Sequence, residues 1–258
     1  MLVAVGAANL AAAALFATTA TRLARRKAEG HARLALNAIT LWWGTMAILE
    51  VVQGAETLAA VAGTLTARAL QSDRYVNGLL VGVGCWGLAF HVAYLRFGDS
   101  RWGWWLSPVY AVVMGLHWAA TATHPVTAFV LEAHQVRLVY DPPLFPSLVA
   151  TLVVLGVGGT MIVAPAAYLA LRRHLREPEQ RRRALLVSVG VLLWGGVPFI
   201  AYMTQNPWAD FLTVSGMTFV AAMLAWLAYF PPGKFRARPQ PFVEFARPLP
   251  AEERLYES

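Results

Sequence analysis

The feature that most limits what this chain can fold into is a series of long apolar runs almost free of Asp, Glu, Lys and Arg. A helix rises about 1.5 Å per residue, so about 20 such residues cross the roughly 30 Å of hydrocarbon in a bilayer. Seven stretches reach that length, at approximately 2–21, 34–54, 76–95, 103–122, 146–171, 184–204 and 210–230. In lipid each backbone N–H and C=O must be bonded within its own segment, so each run predicts a helix. The alternating segments of a membrane β-barrel are absent from the sequence. Composition agrees: of 258 residues, 58% are hydrophobic and only 14% charged, too few charges to coat a soluble domain of this size. The predicted fold class is all-α, a polytopic membrane protein built as a seven-transmembrane-helix bundle over 1–232. A cytoplasmic tail at 233–258, rich in Pro and charge, is expected to be disordered.

Charge sets the orientation. Eighteen of the 21 Lys and Arg residues fall in alternate connections: 22–33, 96–102, 172–183 and the tail. Arg68, Arg74 and Arg137 alone lie on the other side. By the positive-inside rule the N-terminus is outside, the C-terminus inside, and the protein a multi-pass one of the cell membrane. The first run is read as a retained helix, since Arg22, Arg25, Arg26 and Lys27 follow it, whereas a signal peptide carries its charge in front. The net charge of +7 is thereby explained as topology, and no nucleic-acid partner is expected. Two outer connections are long. Residues 55–75 predict an interfacial helix or an extension of helix 2, and 123–145 a short extended segment, Val136 to Tyr140, ending in a turn at Asp141-Pro142-Pro143.

Several chemistries are excluded by the residues present. Retinal needs an intramembrane lysine for its Schiff base, and the only lysines are Lys27 and Lys234. His91 and His117 lie in spans, but with helices running in opposite directions their depths differ by about 13–15 Å, too far for one iron at 1.5 Å rise per residue. Both are read as packed or interhelix-bonded histidines. The Trp102-Gly103-Trp104-Trp105 cluster is explained by an interfacial aromatic belt. The single cysteine, Cys85, forbids an internal disulfide, and the zincin, nucleophile-elbow and P-loop motifs are missing. No cofactor is predicted.

The remaining polar residues in the spans carry the functional expectation. Glu50 lies in the outer third of helix 2, and an ionisable group at such depth marks function by default. Trp43, Met46, Glu50 and Gln53 follow helical spacing on one face, as do Tyr110, Met114, His117 and Thr121, and Trp194, Pro198 and Tyr202. Together they predict an outward-opening aromatic cavity with Glu50 and His117 as polar anchors and Trp43, Gln53, Trp194 and Tyr202 around them. The blander alternative is an interhelix hydrogen-bond network without a ligand. Pro198, preceded by Gly195 and Gly196, predicts a kink that lets the outer half of helix 6 bend, and Pro165 does the same in helix 5.

Four segments resemble the seven-helix N-terminal sensor region of membrane histidine kinases. They are Leu41-Trp42-Trp43 through Ala47-Ile48-Leu49-Glu50, Thr121-Ala122-Thr123-His124-Pro125, Gln180-Arg181-Arg182-Arg183-Ala184-Leu185-Leu186 leading to Pro198, and Tyr229-Phe230 entering the tail. In that family a kinase, cyclase or PAS output domain follows; for the sequence to Ser258 the resemblance leads us to expect a stand-alone sensor module. The expected function is a non-enzymatic membrane sensor that binds a small or lipid-like ligand in its outer half. It would signal through the inner loop, where Arg172, Arg173, Arg176, Arg181, Arg182 and Arg183 meet an acidic cytoplasmic partner or anionic lipid. The alternatives are a structural or cofactor-holding subunit of a larger membrane complex and, with Glu50 and His117 as its chemistry, a lipid-modifying enzyme. Epitope tags on the two termini test the topology: in intact cells the N-terminal tag is expected to bind antibody and the C-terminal tag only after permeabilisation. Equal accessibility would contradict an odd number of crossings.

Overall fold

The structure, a computed structural model, describes residues 1–132, 136–144, 147–175, 178–196 and 217–230. They form α1 (Leu2–Ala24), α2 (Gly30–Val61), α3 (Ala67–Phe97), α4 (Arg101–Trp105), α5 (Ser107–Thr123), a hairpin of β1 (Val126–Leu131) and β2 (Val136–Tyr140), α6 (Leu148–Arg172), α7 (Pro178–Val191), a π-helical turn (Leu192–Gly196) and α8 (Thr218–Tyr229). The chain is mostly helical. Among the described residues four segments, Leu2–Ala24, Gly30–Val61, Ala67–Phe97 and Thr151–Arg172, are long and apolar enough to cross a membrane. The other apolar runs give shorter pieces. That at 103–122 is divided at Leu106 into α4 and α5, with Pro108 in the first turn of α5, and those at 184–204 and 210–230 fall partly outside the described residues. The tail, 231–258, lies outside them too.

Local signals fix the ends. Thr66 caps α3 by accepting the Ala69 N–H at 3.2 Å, and Gly98 ends it at φ 71°, a left-handed conformation that suits glycine. The 55–75 connection is an extension of α2 to Val61, a five-residue link at 62–66, and an early start of α3. The extended segment at 136–140 is present as β2. Its antiparallel partner β1 was not anticipated, because Val126-Thr127-Ala128-Phe129-Val130-Leu131 continues an apolar stretch without alternation.

The helices close a ring in which α1 packs on α2, α2 on α3, α3 on α5, α5 on α6, α6 on α7, α7 on α8 and α8 back on α1, while α3 also meets α6. One end carries the hairpin; the other carries the arginine-rich 22–33 and 172–183 connections. Inside lie Phe16, Leu36, Ile39, Trp42, Trp43, Met46 and Leu88. Outward faces carry Val3, Ile48, Val51, Val112 and Val163 rather than charge. Small residues allow the close contacts. A Cβ on Gly6 of α1 would stand 3.3 Å from the Gly54 carbonyl, and one on Gly54 would stand 3.1 Å from the Gly6 carbonyl. Buried threonines are satisfied along their own helices, as Thr19 Oγ1 donating to the Leu15 carbonyl at 2.9 Å illustrates.

Helices α2 and α3 approach closely where a Cβ on Gly87 would meet the Ala38 carbonyl oxygen at 2.6 Å, main chain that cannot swing aside. Gly87→Ala is expected to lower the unfolding free energy of the detergent-purified protein by about 1–3 kcal/mol. Gly115→Ala, with nothing within 4 Å, should stay within about 0.5 kcal/mol of wild type in the same denaturation. Equal effects would contradict this helix contact.

Candidate functional site

Glu50 is 1% exposed, in the middle of a helix whose inward stripe is otherwise Trp42, Trp43, Met46 and Leu49. Trp194 of the π-turn donates its indole N–H to Glu50 Oε1 at 2.8 Å. The second oxygen, Oε2, is buried and has no hydrogen-bond partner among the described residues. A buried carboxyl oxygen without a donor costs about 1–3 kcal/mol or more, so this half of the group is poised to accept from something else.

The π-turn exists because its residues tolerate it. A Cβ on Gly195 would lie 2.4 Å from Met161 Sδ of α6, and one on Gly196 would lie 2.5 Å from Leu192 Cδ1. Two glycines therefore let α6 press against the widened turn and aim Trp194 at α2. Such single π-turns recur at functional positions in helices. The π-turn occupies Leu192–Gly196, and Pro198, where the kink is expected, lies outside the described residues.

Aromatic rings continue from this bond toward the basic end. Trp194 meets Trp42 edge-on with centroids 5.5 Å apart, Trp42 meets Trp43 at 6.0 Å, and Trp43 meets Tyr229 of α8 at 6.4 Å while stacking on Phe16 at 5.5 Å. These separations fall in the range of favourable ring pairs.

Of the expected site residues, Trp43, Glu50 and Trp194 are brought into one cluster. Gln53 is not: it is exposed. Ten residues beyond Trp43 it has rotated about 80° from that residue around the helix axis, off the buried stripe. His117 makes a separate bond, its Nε2 donating to the Arg74 carbonyl at 3.0 Å, and its ring fills the space that a side chain on Gly78 would occupy. The face Tyr110, Met114, His117 and Thr121 is real, but it closes against α3 and α6: Tyr110 bonds the Thr160 hydroxyl and Met114 covers Gly82. His91, near the basic end, bonds the Ala35 carbonyl at 3.0 Å. Tyr202 and Arg176 lie outside the described residues.

The arginine-rich connection divides by role. Arg172 and Arg173 are exposed, and Arg182 is half-buried. Arg181 donates to the Leu175 carbonyl, folding the connection on itself. Arg183 reaches α8 and donates to the Ala228 carbonyl at 3.1 Å, with Glu179 3.3 Å from its Nη2.

At the opposite end the sequence reading missed Gln71. Its amide donates to the Thr121 carbonyl at 2.8 Å and its oxygen accepts the Val126 N–H at 2.8 Å, joining α3, the end of α5 and the hairpin. A glutamine in the outer connection 55–75 gives no local sign of this. Beside it Asn77 donates to Asp73, whose carboxyl meets that of Glu56 on α2. Among the described residues no group of three or more His, Cys, Asp and Glu is arranged to hold a metal ion.

No family model, curated protein or solved structure matches this chain. Gln71→Leu removes both amide bonds at once. Hydrogen exchange at the Val126 amide should accelerate by about tenfold or more, since a bond of this kind contributes about 0.5–1.5 kcal/mol and orphaned partners add to the loss. Unchanged protection would show that the hairpin is held by other contacts.

Proposed function

We propose that this protein is a seven-transmembrane-helix sensor module of a cell membrane, N-terminus outside and C-terminus inside. It takes a small or lipid-like ligand in its outer half and passes the response to a cytoplasmic partner. The membrane setting is supported by the four long apolar helices, by outward faces lined with valine and isoleucine, and by the eighteen-to-three division of basic residues. The orientation rests on that division alone.

The observation that carries the sensing role is the half-satisfied buried carboxyl of Glu50, tied through Trp194 to the π-turn Leu192–Gly196. A ligand that supplies a donor to Oε2, or that draws Trp194 away from Oε1, changes the balance between α2 and the α7 side. The rings Trp42, Trp43 and Tyr229 lead from there to the last turn of α8. At the basic end the exposed Arg172 and Arg173 are the part of the connection available to an acidic partner or anionic lipid. The resemblance of residues 1–232 to the sensor region of membrane histidine kinases points the same way.

Movement is the property that separates a sensor from a scaffold. Spin labels on cysteines placed at Lys27 and Arg173 report on the basic end, and the native Cys85, fully buried, stays unlabelled. In Glu50→Leu the distance distribution between the labels should shift by about 2 Å or broaden by as much, as helix displacements in switching proteins do. A distribution identical to wild type in a folded variant would favour a rigid structural or cofactor-holding subunit of a larger membrane complex.

A further inference from the structure

The 55–75 connection brings two acids face to face across α2 and α3. Glu56, on the extension of α2, and Asp73, on the early turns of α3, are both half-buried, and their carboxyl groups are in hydrogen-bond contact. Both lie beyond the apolar runs 34–54 and 76–95. A carboxylate only accepts hydrogen bonds, so two carboxyls in contact need a proton between them. Without it they are like charges at short range, which is why pairs of this kind titrate together and keep one proton.

The surroundings decide which acid carries that proton. Asn77, one turn further along α3, donates its amide to Asp73 Oδ2, and the Arg74 charge favours the ionised form of both acids. Asp73 is therefore the acceptor and Glu56 the donor. Burial, and then the Asp73 charge, push the Glu56 carboxyl up to about 8, while Arg74 pulls more weakly the other way. The other charged and titratable groups at this end are engaged elsewhere or exposed. Arg74 places its guanidinium over the Tyr140 ring of β2 at 5.2 Å, and His117 of α5 donates to the Arg74 carbonyl. In the hairpin Arg137 meets Glu132 at 2.6 Å, His124 donates to the Pro142 carbonyl, and Asp141 is exposed, as are Arg68 and Tyr75 on α3. Glu50, six residues before Glu56 on α2, is bonded to Trp194, and α1 brings no titratable side chain before Arg22.

We propose that Glu56 and Asp73 form a proton-operated latch between α2 and α3, in which one shared proton holds these two helix ends together and its loss to water releases them. The latch lies where a small displacement has somewhere to go. Thr57, Ala60 and Leu70 are buried and keep the two ends folded, so ionisation shifts the start of α3 rather than unfolding it. Gln71, two residues from Asp73, carries that shift to the Val126 N–H of the hairpin and the Thr121 carbonyl of α5. In the topology proposed above this end faces outside, so the latch responds to external pH. It is separate from the Glu50 bond and does not rest on it.

The sign follows from the raised affinity of Glu56 for its proton. The latch is closed in the ordinary carboxyl range near about 4 and opens as the pH rises through about 8. The test uses the full chain in uncharged maltoside detergent, with spin labels on cysteines placed at Ala55 and Ser72, which are exposed on α2 and α3. Native Cys85, fully buried, stays unlabelled. Between about pH 5 and about pH 10 the distance distribution should lengthen or broaden by about 2 Å. Glu56→Gln gives Asp73 an amide N–H in place of the carboxyl O–H, and should keep the acid-form distribution at both pH values. Arg74→Gln removes the cation that favours the ionised pair, and should raise the midpoint of the change by about one pH unit, a tenfold gain in proton affinity. The proposal is overturned by a wild-type distribution that does not change with pH, by a Glu56→Gln response equal to wild type, or by a midpoint that Arg74→Gln leaves in place. Should Glu56→Gln not fold, Asp73→Asn decides on the same terms, because it too removes the repulsion between two carboxylates.

Discussion

The hydrogen bond between Trp194 and Glu50 is the constraint around which the rest of this structure is arranged. A carboxyl at 1% exposure is costly to bury, and an apolar helix bundle has few donors to offer it. The indole N–H is one of the few donors that also brings a large apolar body with it. That indole sits on a π-helical turn whose Gly195 and Gly196 leave room for the Met161 and Leu192 side chains. One acidic residue on α2 is thus bonded to a segment 144 residues further along the chain.

Much of the molecule was legible from its residues. Uninterrupted apolar runs identify the long helices because hydrocarbon admits few alternatives, and Glu50 stood out because an acid in such a run has no bland explanation in solvent exposure. Trp43 and Trp194 followed from helical spacing. The misses have physical causes. Gln53 keeps to the same nominal face as Trp43, yet the helix twist carries it out of the buried stripe within three turns. His117 was paired with Glu50 by estimated depth, and depth says nothing about which neighbour a helix face meets. It faces α3, where Gly78 leaves room for the ring.

Polar residues that act between segments were the least visible. Gln71 joins three elements that are distant in sequence, and Arg183 is read from sequence as one of six equivalent loop charges although its partner is the carbonyl end of α8. Both depend on which ends meet in space, and no local pattern encodes that. The same holds for β1, an apolar stretch that becomes a strand only because Val136–Tyr140 lies beside it.

Between the buried acid and the basic end, the rings of Trp194, Trp42, Trp43 and Tyr229 form one contiguous set, and Tyr229 ends on carbonyls held by Arg26. Proximity alone does not make this a route for signals; what gives it content is whether the first bond in the set carries energy. A double-mutant cycle on unfolding free energy, using Glu50→Leu, Trp194→Phe and the pair, measures that directly. A coupling energy of about 1–3 kcal/mol between the two substitutions is expected for a buried side-chain hydrogen bond. Additive losses, within about 0.3–0.5 kcal/mol, would contradict the central place given to this bond.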